Sequence, residues 1–152
     1  MPARGISVTI RSNRIQEVIR NLGNGVERVV EQTASDIQQR ASVIAPVDTS
    51  ALRNSIYVSN LNGNSDYSQH AAQASALNPL AQITPEVRPG QVIWLSGNGN
   101  ITHAAVVGPC VHYGVYQELG TRFMGAQPYM IPSILAAQNT FIPDMVNIGG
   151  TL

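Results

Sequence analysis

Residues Ile15 to Ile44 read IQEVIRNLGNGVERVVEQTASDIQQRASVI. Apolar side chains recur at Ile15, Val18, Ile19, Leu22, Val26, Val29, Val30, Ile37, Ala41 and Ile44, and Thr33 and Ala34 bridge the one long gap. Steps of three and four residues put these side chains on one face of a helix. Glu17, Glu27, Arg28, Glu31, Asp36 and Arg40 take the other face, where Asp36 and Arg40 are spaced to pair across one turn. Gly23 and Gly25 each cost about 1 kcal/mol in a helix interior, which predicts a kink or a break there. Pro46 disfavours helical geometry at Ala45 and stops the run.

Working outward, Ile6, Val8 and Ile10 alternate with polar residues and predict a short strand, and Asn13 is placed to cap the long helix. On the other side, Asp48 is placed to cap a short helical turn through Leu52, and Ile56 to Val58 reads as a strand. Asn60 to Gly90 is rich in Asn, Ser, Gln, Ala and Pro with little periodicity. It is expected to be an inserted loop, either disordered when free or ordered as an arm against a neighbour. Deleting residues 62–88 is then expected to leave a folded protein. Gln91 to Leu95 and Ile101 to Val107 flank Ser96-Gly97-Asn98-Gly99-Asn100, the pattern of a hairpin, and Pro109 ends its second strand. Tyr113, Tyr116 and Leu119 predict a short helix ended by Gly120, while the alternation of Val111, Tyr113 and Val115 leaves a strand open. A last helix is expected over Ile131 to Phe141, with Pro132 in its first turn and Pro143 ending it. The residues from Pro143 to Leu152 then form a mobile or partner-bound extension. The sum is one α+β domain over residues 1–152. Its long N-terminal helix packs on a small, mainly antiparallel sheet, with an inserted loop over 60–90 and a C-terminal helix.

A hydrophobic share of 43% suits a globular core, whereas the charged share of 12% is about half the usual value. Nine Arg balance nine Asp and Glu, and lysine is absent. That balance argues against a strong phosphate-gripping surface. The missing lysine excludes a phosphate-loop lysine and Schiff-base chemistry. A surface short of charge is poorly defended against association, which suits a chain covered by partners. The single Cys110 excludes an internal disulfide and fits synthesis in a reducing cytoplasm. The N-terminus lacks a signal-peptide run, and no apolar run of about 18 residues predicts a membrane span.

Few constellations suggest chemistry. Cys110, His112 and Glu118 offer a thiol, an imidazole and a carboxylate, but no oxyanion-hole motif accompanies them. His70, His103 and His112 with Glu118 have long, irregular spacings, unlike a zinc helix. Arg4, Arg11, Arg14, Arg20, Arg28 and Arg40 crowd the first quarter of the chain. Four acidic residues are interleaved, so a solvated face is the better reading than a DNA-gripping one. Trp94, Tyr113, Tyr116, Phe123 and Tyr129 are either core or interface anchors.

Three segments carry a resemblance. Ala45 to Ile56 runs Ala-Pro-Val-Asp-Thr-Ser-Ala-Leu-Arg-Asn-Ser-Ile. Tyr113 to Thr121 runs Tyr-Gly-Val-Tyr-Gln-Glu-Leu-Gly-Thr, and Ala126 to Ser133 runs Ala-Gln-Pro-Tyr-Met-Ile-Pro-Ser. In this order the chain resembles the neck and tail-component proteins of long-tailed bacteriophages. It departs from their pattern at Ser50, where glycine is usual, and at Gly114 and Ser133, where alanine is. The resemblance implies a structural, non-enzymatic ring subunit of the virion neck or upper tail, made in the host cytoplasm. Such a ring commonly follows the six-fold symmetry of the tail tube and needs no cofactor, metal or membrane. Its implied partners are copies of itself, head connector or stopper proteins, and tail terminator or tail-tube proteins, with DNA passing through the lumen. Tail completion or head–tail joining is the favoured role. A tail terminator or minor tail component is the alternative, and a small Cys-dependent hydrolase is the alternative from another class. By the same resemblance Asp48, Thr49, Arg53, Tyr113, Tyr116, Glu118, Gly120, Thr121, Arg122, Pro128 and Tyr129 are structural or interface residues. Asp48 is expected to cap a turn, Gly120 to end a helix, and Glu118 to face Arg53 or Arg122 within or across subunits.

Overall fold

Thirty residues, Ile15–Ile44, form one helix, α1, which runs through Gly23 and Gly25. The computed structural model to which it belongs describes residues 14–47, 50–91 and 102–150. The expected strand at Ile6–Ile10, the Asn13 cap, Asp48, Thr49, Trp94 and the first strand and turn of the expected hairpin lie outside the described residues. The break predicted at the glycines does not occur. At Gly25 the missing side chain admits a second helix, since Ile148 Cγ2 lies 3.1 Å from where a β-carbon would sit. Packing there offsets the weak helix propensity of glycine. Ala34, Ala41 and Ala45 are buried, as the periodicity requires, but Val18, Ile19 and Ile44 stay exposed at the ends of the same stripe. Ala45 leaves the helix in an extended conformation, as a residue before proline must.

A four-residue helix, α2 (Ala51–Asn54), follows Ser50, which adopts φ +60°. Strand β1 (Ile56–Asn60) pairs antiparallel with β2 (Ala105–Pro109), with Ile56 opposite Pro109 and Asn60 opposite Ala105. A two-stranded sheet is marginal alone. Here it is braced on one side by Gln82–Thr84, which bonds to Cys110 and His112 (Thr84 N–H to Cys110 O, 2.7 Å; His112 N–H to Gln82 O, 3.0 Å). The core joins Ala41 of α1 and Ala45 just beyond it to Leu52, Ile56, Tyr57, Cys110, Val111 and Tyr129. Each large apolar side chain buried there contributes roughly 1.5–3 kcal/mol.

Two sequence expectations are corrected. The first is the inserted loop over 60–90, which carries helix α3 (Tyr67–Leu77) and packs into the core through Tyr67, Ala71, Ala74, Ala81 and Ile83. The Tyr67 ring meets Tyr57 edge-on, with centroids 5.1 Å apart. Its hydroxyl donates to Thr84 O at 2.6 Å, while Val87 N–H donates to the Tyr57 hydroxyl at 2.8 Å. Deleting 62–88 would therefore strip part of the core instead of trimming an arm. The second correction is at Pro143. Residues 143–150 are not an extension, because the last helix runs over Met130–Gly150 with Pro143 inside it. Its far end returns along α1 at Gly25, and that contact holds it together. The short helix expected before Gly120 is present, over Gly114–Leu119, and the competing strand reading there fails. These two helices are α4 (Gly114–Leu119) and α5 (Met130–Gly150).

Candidate functional site

The second and third motif segments fold into one clamp. Gly120 ends α4 with φ +76°, and a β-carbon there would lie 2.7 Å from the Ala126 nitrogen, so glycine is required. The chain then turns sharply. Thr121 N–H donates to Met124 O at 2.8 Å, and Phe123 N–H donates to Thr121 Oγ1 at 3.2 Å. Gln127 N–H donates back to Gln117 O at 2.8 Å. This hairpin path brings the start of α5 over Glu118.

Glu118 accepts three backbone N–H groups there, from Tyr129 (2.8 Å), Met130 (2.9 Å) and Ile131 (2.9 Å). The next residue, Pro132, has no N–H to satisfy. One carboxylate thus meets the unpaired donors of the helix start and sits at the positive end of its dipole. Among the described residues of one chain Glu118 pairs with neither Arg53 nor Arg122, so the ion pair expected within a subunit is absent. A sequence signal for the clamp exists: no Ser, Thr, Asp or Asn immediately precedes Met130, so the helix start needs an acceptor from elsewhere.

Tyr129 is buried beside the clamp and donates to Gly114 O at 3.2 Å. Burial first, and then the Glu118 charge, pushes its phenol well above the usual tyrosine range. Ser133, also buried, donates to Tyr129 O at 2.6 Å. At Gly114 a β-carbon would lie 2.6 Å from Pro109 Cγ and 2.9 Å from the Tyr129 hydroxyl. The alanine of the phage pattern has no room here, so the departure at Gly114 matches the closeness of Tyr129.

The other motif residues are dispersed. Arg53 reaches Val43 O at 3.4 Å through Nη2, while its buried Nε has no hydrogen-bond partner among the described residues. Arg122 lies over the Phe123 ring, 5.8 Å from its centroid. Tyr113 packs half-buried against the core, and Tyr116, Thr121 and Pro128 are exposed.

The surface around the clamp is apolar. Val115, Tyr116 and Leu119 of α4, Phe123 in the turn, and Ile131, Ile134 and Leu135 at the start of α5 are exposed. Phe123 is 92% exposed and Leu119 68%. Ile142 and Val146 continue the α5 stripe at helical spacing, and Asp144 is the one charged residue of that helix. A polar groove of about 490 Å³ lies between α1 and α5, lined in part by Asp36, Arg40, Thr140 and Asp144. Arg40 pairs with Asp36 at 2.8 Å, and Arg14 just before α1 and Arg20 and Arg28 on it are exposed.

A polar hub that sequence reasoning missed ties α1 to the sheet and to α3. Gln38 Nε2 donates to Ile56 O (2.9 Å) and Asp66 Oδ2 (2.8 Å), and Asp66 Oδ1 accepts from Val58 N–H (2.7 Å). His70 Nδ1 lies 2.7 Å from Asn54 O, so that nitrogen carries the hydrogen. The histidines considered as metal ligands stand in three neighbourhoods: His70 in this hub, His103 beside Gly23, and His112 exposed near Gln82. Among the described residues no group of three or more His, Cys, Asp or Glu side chains is arranged to hold a metal ion. Cys110 is fully buried, and burial pushes its thiol up, the reverse of what a thiolate nucleophile needs. Both Glu118 oxygens are taken by α5. Among the described residues no helix is long and apolar enough to cross a membrane. Neither the family models, the curated proteins nor the solved structures compared with this chain gave a match.

Proposed function

We propose that this chain is a structural subunit of a tailed-phage neck, acting through assembly contacts and without a catalytic step. In this reading it forms a ring with its own copies, completes the tail and joins it to the head connector. DNA passes through the lumen without sequence-specific contact. The observation that carries the proposal is the exposed apolar surface of α4, Phe123 and α5, held rigid from beneath by Glu118. A cluster of exposed large apolar side chains marks a protein contact surface, and the low charge of α5 lowers the electrostatic cost of covering it. The motif residues then serve to shape a binding face, not a pocket. The Cys-dependent hydrolase reading loses support, since its thiol is buried and its carboxylate is occupied.

The test is a Leu119→Asp, Leu135→Asp double variant, made in the phage that encodes the chain. Both side chains are exposed, so the variant is expected to fold with an unchanged melting curve. It is expected to be absent from purified virions, with heads and tails left unjoined. Incorporation at wild-type level with full infectivity would sink the proposal. Cryo-electron microscopy of wild-type virions places the ring: density at the head–tail joint supports tail completion, and density capping detached tails supports a tail terminator.

A further inference from the structure

We propose that a single structural water binds where α1, the end of β1 and the approach to β2 meet, bridging Asn60 and His103. Two buried polar atoms there, Asn60 Oδ1 and His103 Nδ1, have no hydrogen-bond partner among the described residues. Both residues line one cavity of about 10 Å³, together with Glu27, Glu31 and Thr102. That is about the room a single water needs, and buried water is held by two to four such polar groups.

The orientation of Asn60 is fixed by its other end. Asn60 Nδ2 donates to Glu31 Oε1 at 2.9 Å, so rotating the amide would set oxygen against oxygen. Asn60 Oδ1 is therefore an acceptor that needs a donor. With the His103 hydrogen on Nδ1, a water donates to Asn60 Oδ1 and accepts from that N–H with its own lone pair, so one molecule satisfies both atoms. The water's second hydrogen remains for a Glu27 or Glu31 oxygen. The site is well placed to brace the corner. Asn60 closes the β1–β2 ladder opposite Ala105, Leu61 N–H donates to Ala104 O at 3.1 Å, and the His103 ring faces Gly23 of α1. The inference does not depend on the phage reading.

A crystal structure of the full chain is expected to show one density peak at about 2.7–3.2 Å from both Asn60 Oδ1 and His103 Nδ1. Direct pairing of either atom with another protein group would overturn the proposal, as would a dry cavity. A peak at metal-ligand distance with anomalous signal would replace the water by a cation and also overturn it. In solution, water-oxygen relaxation dispersion is expected to count one fewer long-lived internal water in His103→Phe than in the parent. An unchanged count in a folded His103→Phe variant would contradict the bridge.

Discussion

Ser50 holds φ +60°, a conformation that costs an L-residue other than glycine roughly 1–2 kcal/mol. The turn into α2 thus does require a positive φ, and the serine accepts the strain where the phage pattern has glycine. Ser50→Gly relieves that strain but loosens the unfolded chain, so a net stabilisation of about 0.5–1 kcal/mol is expected, read from the urea midpoint. Glu118 works in the opposite sense. Glu118→Ala leaves three donors at the start of α5 without their acceptor, and a loss of about 2–4 kcal/mol is expected. Glu118→Gln keeps one carbonyl oxygen and should recover part of it. Equal stabilities for the three proteins in chemical denaturation would refute the clamp. A sequence suggests a cation as partner for a carboxylate, and Arg53 and Arg122 were the nearest candidates by motif. Within the chain the partners of Glu118 are backbone N–H groups, which carry no side-chain signature.

At the scale of elements, legibility followed the size of the apolar side chains. The run from Leu22 to Ala41 and the group Tyr113, Tyr116 and Leu119 showed their helices plainly, and Gly120 marked a stop that the fold keeps. α3 was missed because its buried face consists of Tyr67, Ala71 and Ala74, two of them too small to give a strong period. α5 was cut short because proline was read as a stop. Pro143 cannot donate to the Asn139 carbonyl, yet packing of the last turns on α1 carries the helix past it. Pro143→Ala should therefore stabilise the protein by about 1–3 kcal/mol, with Tm rising accordingly. A neutral result would mean that residues 143–150 contribute nothing to the folded state. The clamp itself is half legible: Gly120 declares its helix stop, whereas the carboxylate cap made by Glu118 has no sequence mark of its own.

At the scale of the whole molecule, Tyr57, Tyr129 and Cys110 are buried in their protonated forms, and Tyr67 is half-buried beside them. Burial raises Tyr57, Tyr67 and Tyr129 above the ordinary 10.0 of tyrosine and Cys110 above the ordinary 9.0 of a thiol. The folded chain keeps protons that the unfolded chain gives up, so the stability these groups contribute is fully present below about pH 9 and falls as pH rises from there. Tyr129 alone steepens that fall by up to about 1.4 kcal/mol per pH unit. Urea unfolding from about pH 8 to 11 is expected to show the decline, and Tyr129→Phe is expected to flatten it. A parallel decline in the variant would assign the effect to other groups. The Glu118 clamp also has a signature in time. Amides in the first turn of a helix ordinarily trade hydrogen for deuterium fastest, because nothing in the helix holds them. Here those of Met130 and Ile131 should be among the slow ones of α5, released at the rate at which a carboxylate on the preceding helix lets go.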